Sequence, residues 1–168
     1  MPTAPSWAVA LTYWLHMLAV VIWIGSLVSI SLLILPAATR TLKPVDQVVF
    51  IEAIQKRFEP IAWFSISLLV VTGLFQMSVN VHYNGFLSTS NQWSLAILAK
   101  HVLVVILIVV SAIHTWEVLP AIRRALMRKD KINQEELASL QRRERILLRT
   151  SLVLAVFILL ATAFARAA

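Results

Sequence analysis

His16, Lys100, His101 and His114 are the residues of this chain best placed to do chemistry, because each falls inside a long apolar stretch. In lipid a charged or strongly polar side chain costs at least a few kcal/mol near the bilayer centre, so such residues mark function by default. Two imidazoles at one depth on parallel helices can supply the axial donors of a haem b. His together with Met offers donors that suit Cu(I) and Cu(II). The bland reading is that these side chains only hydrogen-bond between helices.

Depth follows from helix rise. His16 lies nine residues past Trp7 and His101 eight residues past Trp93, so each sits roughly 12–14 Å below the same interface. His16 and His101, or His16 and Lys100, therefore meet at one level, and His114 falls about 20 Å deeper. At 100° per residue Lys100 and His114 are about 40° apart, whereas His101 and His114 are roughly 140° apart. Either Lys100 and His114 share the stripe facing the bundle, or His101 faces inward without His114. A copper site at this level would draw on His16, Met17, Met77, His82 and His101. Met1 and Met127 lie elsewhere, so there is no methionine-rich motif. Trp23, Trp63 and Trp116 read as packing and interface residues.

The elements that must position these residues are membrane spans. The chain of 168 residues is 60% hydrophobic with a mean hydropathy of +0.82. A run of about 20 apolar residues crosses a hydrocarbon core of roughly 30 Å. Four such runs, at 7–35, 60–79, 94–119 and 146–165, predict an all-α polytopic membrane protein with a four-helix transmembrane bundle. The bundle is a single domain, with loops 37–59 and 120–145 on one side. Of the fifteen Lys and Arg residues, all but Lys100 and Arg166 lie between Ala37 and Glu59 or between Ala121 and Arg149. The gap from Val79 to Trp93 has no Lys, Arg, Asp or Glu. The positive-inside rule then places both basic loops in the cytoplasm, and both termini with the Val79–Trp93 loop outside, in the inner (plasma) membrane. The net charge of +7 serves topology and anionic headgroups, not nucleic acid. With no cysteine, disulfides and thiolate metal sites are excluded, leaving His, Met, Lys or carboxylate as metal donors. The first apolar run is too long for a signal h-region and predicts a retained helix.

Span 1 opens on an aromatic girdle of Trp7, Tyr13 and Trp14 and ends at Pro36. Its Gly25 and Ser29 form a small-xxx-small pair suited to close helix approach. A turn at Lys43-Pro44 precedes a short amphipathic helix over about 45–57 whose Val48, Val49, Phe50, Ile51 and Ile54 suit the membrane surface. Pro60 is then a favourable first-turn residue for span 2, with Thr72-Gly73 deep inside that span. Span 3 runs to Leu119-Pro120. Asn133 with Glu136 predicts a helix start that continues into span 4. No internal repeat stands out.

Several motifs are shared with a known family. His16, Trp23 and Gly25 within HMLAVVIWIGSL resemble the first span of the copper-resistance D (CopD) family. So do Arg57-Phe58 leading to LLVVTGLF, Lys100 early in span 3, and VLPAIRR from Val118. The same outline is similar to HemJ-type protoporphyrinogen oxidases. The resemblance spans nearly the whole chain and implies copper uptake or tolerance, or alternatively a b-type haem redox protein with His16 and His101 or Lys100 near the haem. It singles out His16, Arg57, Lys100 and His114. Gly25-Ser26 replaces the more usual Gly-Gly, and Pro36 falls late for the HemJ pattern. The small size implies a homo-oligomer or a larger membrane complex, in which the chain would be an accessory subunit on a third reading.

Overall fold

A computed structural model describes residues 5–80, 85, 89, 92–127 and 134–167. The described residues are all-α, and four helical rods are long and apolar enough to cross a membrane. The first rod joins α1 (Ser6–Val28), a π-helical turn π1 (Ser29–Ile34) and α2 (Leu35–Thr41). The second is the single helix α3 (Pro44–Ser78). The third joins α4 (Gln92–Ile113), π2 (His114–Val118) and α5 (Leu119–Met127), and the fourth is α6 (Gln134–Ala167).

The rods run farther than the apolar runs alone predict. Pro60 is inside α3, not at its start. A proline inside a helix removes one backbone hydrogen bond and crowds the carbonyl four residues earlier. Packing overrides that local cost here, because the turns before Pro60 bury Ile51 and Gln55 against other helices. The separate surface helix expected over 45–57 is thus the first half of α3. The expected helix start ahead of span 4 continues without a break into α6, although Asn133 itself lies outside the described residues.

The first and third rods share an internal register that the apolar pattern conceals. Leu35-Pro36-Ala37 follows π1, and Leu119-Pro120-Ala121 follows π2. In both, the leucine N–H reaches back five residues, from Leu35 to Ile30 O and from Leu119 to His114 O. The wider turn gives room just ahead of a proline ring that would clash with a regular α-helical carbonyl. The same offset along the chain that takes Pro36 to Pro120 takes His16 to Lys100 and Trp23 to Leu107. A slightly larger constant offset relates Ile66 to Ala155 and Gln55 to Glu144. The central core layer of Trp23, Ile66, Leu107 and Ala155 maps onto itself under these two shifts. The described residues therefore form two similar pairs of helical rods.

Within the halves α1 packs along α3 and α4 along α6, and α1 also meets α6. Between α3 and the third rod, Trp63 stacks on Trp116 with ring centroids 5.4 Å apart. At the end bearing Ser6, Ser78, Gln92 and Ala167, called here the terminal end, Met77, Trp93 and Ala165 form a core layer. The opposite, basic end is closed by Val118, Ile122, Ala125 and Leu137. Lipid-facing positions are apolar and exposed, among them Val21, Phe64, Val105 and Phe157. Gly25 opens onto nothing within 4 Å, so its face is not used inside the bundle. The glycine approached closely is Gly73, where an added Cβ would lie 3.5 Å from the His16 ring.

Candidate functional site

His16 is half-buried on the face of α1 that packs against α3. Its Nδ1 lies 2.7 Å from Thr72 Oγ1. The Thr72 hydroxyl in turn lies 2.5 Å from Leu68 O, a carbonyl that can only accept. A hydroxyl has one proton, and it is required between those two oxygens. Thr72 therefore donates to Leu68 and accepts from His16 Nδ1–H, which fixes the tautomer and leaves the lone pair of the neutral ring on Nε2. Gly73 lies beside the ring, where an added Cβ would make ordinary van der Waals contact at 3.5 Å, and one turn farther toward the terminal end Gln76 Nε2 donates to Thr12 O at 3.2 Å. The α1–α3 contact thus clamps His16 between a hydrogen-bond acceptor and a glycine.

Lys100 occupies on α4 the position equivalent to that of His16 on α1. Lys100 is half-buried, and the guanidinium of Arg166 sits over the Tyr13 ring at 5.4 Å. All eight Asp and Glu side chains of the sequence fall between Asp46 and Glu59 or between Glu117 and Glu144. The half of the bundle around His16 therefore has cations and imidazoles but no acidic side chain. His101 Nδ1 lies 2.7 Å from Ile97 O, so it donates to that carbonyl and carries its lone pair on Nε2 in the neutral form.

The other candidates are dispersed. Met17, next to His16, points away and is 65% exposed, whereas Met77 is 8% exposed inside the layer with Trp93 and Ala165. His82 lies outside the described residues. Arg57 is exposed on α3. Among the described residues no three His, Asp or Glu side chains converge on a point where a metal ion would sit.

The basic end holds a polar cluster that residue spacing offers no reason to connect. Gln55 Nε2 donates to the Glu144 carboxylate across the bundle, and His114 Nε2 lies 4.0 Å from the same Glu144 Oε1. His114, Gln55, Glu59, Ser111 and Ser151 line an open cleft of about 640 Å³ whose walls include Trp23, Phe58 and Trp63. Gln55 and Glu144 escape a sequence reading because Gln55 lies in a predicted loop and Glu144 in a run of basic residues. Their equivalent positions in the two halves were the available signal.

Residues 52–165 match the family of copper resistance protein D, a stretch covering α3 from Glu52 through most of α6. His16 precedes that stretch, while Lys100, His101 and His114 lie inside it. Neither the curated proteins nor the solved structures provide a match. With more than half of the chain matched and four helices able to span a bilayer, this is a multi-pass membrane protein that belongs to the copper resistance protein D (CopD) family.

Proposed function

We propose that the chain handles copper, in uptake or tolerance, by presenting His16 Nε2 as the principal donor in the half of the membrane nearest its termini. The observation that carries this reading is the Thr72 hydrogen bond at 2.7 Å. A hydrogen-bonded partner on one ring nitrogen orients the imidazole and keeps the other nitrogen available to a metal, as outer partners of ligating histidines do. Family membership supports copper as the cargo. His101 is the further nitrogen donor at that depth.

Lys100 has a distinct role in this reading. A positive charge at the level that helix rise gives His16 opposes a second positive charge there, and the opposition is strong where water is scarce. Copper is therefore held weakly enough to leave, as transit requires. The orientation follows from charge: the basic loops face the cytoplasm and the termini face outward, in the plasma membrane. One bundle of four helices offers a short path, and assembly with a second copy or a partner complex would lengthen it.

The test pairs cells with purified protein. Cells carrying His16→Ala should lose the copper-dependent growth phenotype conferred by the wild type. The purified variant should bind Cu(I) at least tenfold more weakly in competition with a chromophoric chelator. Unchanged growth and unchanged affinity would discard His16 as the donor.

A further inference from the structure

Glu144 is 3% exposed, and a buried carboxylate is costly unless it is paired and hydrogen-bonded. Gln55 supplies one hydrogen bond. The neighbouring guanidiniums are engaged elsewhere: Arg123 Nε lies 2.8 Å from Glu52 and Arg143 lies 2.7 Å from Glu117. What faces Glu144 instead is His114 Nε2, at 4.0 Å. That separation is too long for a hydrogen bond, and this buried nitrogen has no hydrogen-bond partner among the described residues.

The gap has a size with chemical meaning. Imidazole nitrogen and carboxylate oxygen each bind a first-row metal at about 2.0–2.2 Å. Two such donors on opposite sides of one ion are thus about 4.0–4.4 Å apart. On the His114 side an open cleft is lined also by Glu59, Ser111 and Ser151, while Glu144 faces a neighbouring hollow that it shares with Gln55 and Glu52. The π2 turn starts at His114 itself, and single π turns recur at functional sites. In the similar half the equivalent positions are Ile30 and Gln55, so the donor pair exists only on one side of the bundle.

We infer that His114 and Glu144 form a second cation site, at the basic end, for a divalent first-row ion. Among such ions Cu(II) binds nitrogen–oxygen donor sets most tightly. Glu59 adds a second negative charge in the cleft that His114 lines. The inference rests on the copper reading above but on different residues. The two positions lie at opposite ends of the bundle, His16 near the termini and His114–Glu144 near the basic loops, and each is proposed as a separate site.

The experiment uses the full chain in lipid nanodiscs, titrated with Cu(II) and followed by equilibrium dialysis and electron paramagnetic resonance. The wild type should show one Cu(II) signal with nitrogen and oxygen ligation, and His114→Gln and Glu144→Gln should each weaken that binding at least tenfold. His16→Gln should leave the signal intact while weakening Cu(I) binding, so the two sites fail or stand independently. Helical circular dichroism reports whether each variant folds. If Glu144→Gln does not, His114→Gln decides alone, since Nε2 of His114 has no hydrogen bond to lose among the described residues. A wild type without such a signal, or His114→Gln with unchanged Cu(II) affinity, would overturn the site.

Discussion

His16 and Thr72 are joined across the α1–α3 contact by a hydrogen bond of 2.7 Å whose direction is set by Thr72's own bond to Leu68 O. Thr72→Val removes the acceptor while keeping the shape. The Nδ1–H is then unsatisfied in an apolar contact, a penalty of about 1–3 kcal/mol, and the ring loses its fixed tautomer. Cu(I) affinity should fall about tenfold, the lower end of the 10–100-fold cost of removing an outer-shell partner. Thr72→Ser, which keeps the hydroxyl, should remain near wild type. Equal affinities for Val and Ser would show that the hydrogen bond does not prepare the donor.

Gly73 gives a prediction against intuition. A Cβ there meets the His16 ring at 3.5 Å, ordinary van der Waals contact. Ala also favours a helix interior by about 0.5–1 kcal/mol over Gly. Gly73→Ala should therefore leave Tm unchanged or raised and keep copper binding. Gly73→Leu places its branch where the ring sits, and should lower both Tm and copper affinity. The pair of Tm curves, with a Cu(I) titration on each variant, checks the packing at this point.

Much of this arrangement was legible in the sequence, for identifiable reasons. Spans are set by long apolar runs, and four rods long and apolar enough to cross a membrane follow them. The continuation into α6 was legible because a helix start precedes an unbroken helical pattern. Three features were not legible. Pro60 looked like a start because a proline's local preference is visible, whereas the burial of Ile51 and Gln55 that keeps α3 continuous is tertiary. The two-half construction was hidden because Leu-Pro-Ala is short and apolar residues repeat everywhere in a membrane chain. It becomes visible only once both motifs are seen to follow a π turn. The third rod has two arrangements open to it because rise alone does not fix side-chain direction: Lys100 and His101 are both half-buried, and His114 lines the cleft at the basic end.

Lys100→Met tests the weak-holding argument. Removing a positive charge near His16 should tighten Cu(I) binding about tenfold, equivalent to about 1.4 kcal/mol, and slow release from the purified protein. In cells the same variant should retain copper in the membrane fraction and lose tolerance despite better binding. Weaker Cu(I) binding in Lys100→Met would mean that the lysine acts as a ligand or positions one, and the charge argument would fall.

The orientation can be read directly because the chain has no cysteine. A single introduced thiol is then the only one to react. Thr89, exposed in the segment between α3 and α4, and Ser139, exposed near the start of α6, lie on opposite sides of the proposed bilayer. Neither side chain is buried, so Thr89→Cys and Ser139→Cys should both fold with little change, as surface substitutions usually do. A membrane-impermeant maleimide added to intact spheroplasts should label Thr89→Cys fully and Ser139→Cys only after the membrane is permeabilised. The expectation rests on the basic residues beside Ser139, among them Arg142, Arg143 and Arg145, which resist translocation during insertion. The reverse labelling pattern would put the termini and His16 on the cytoplasmic side. The His114–Glu144 pair would then lie on the outward-facing side of the membrane, and His16 on the inner one.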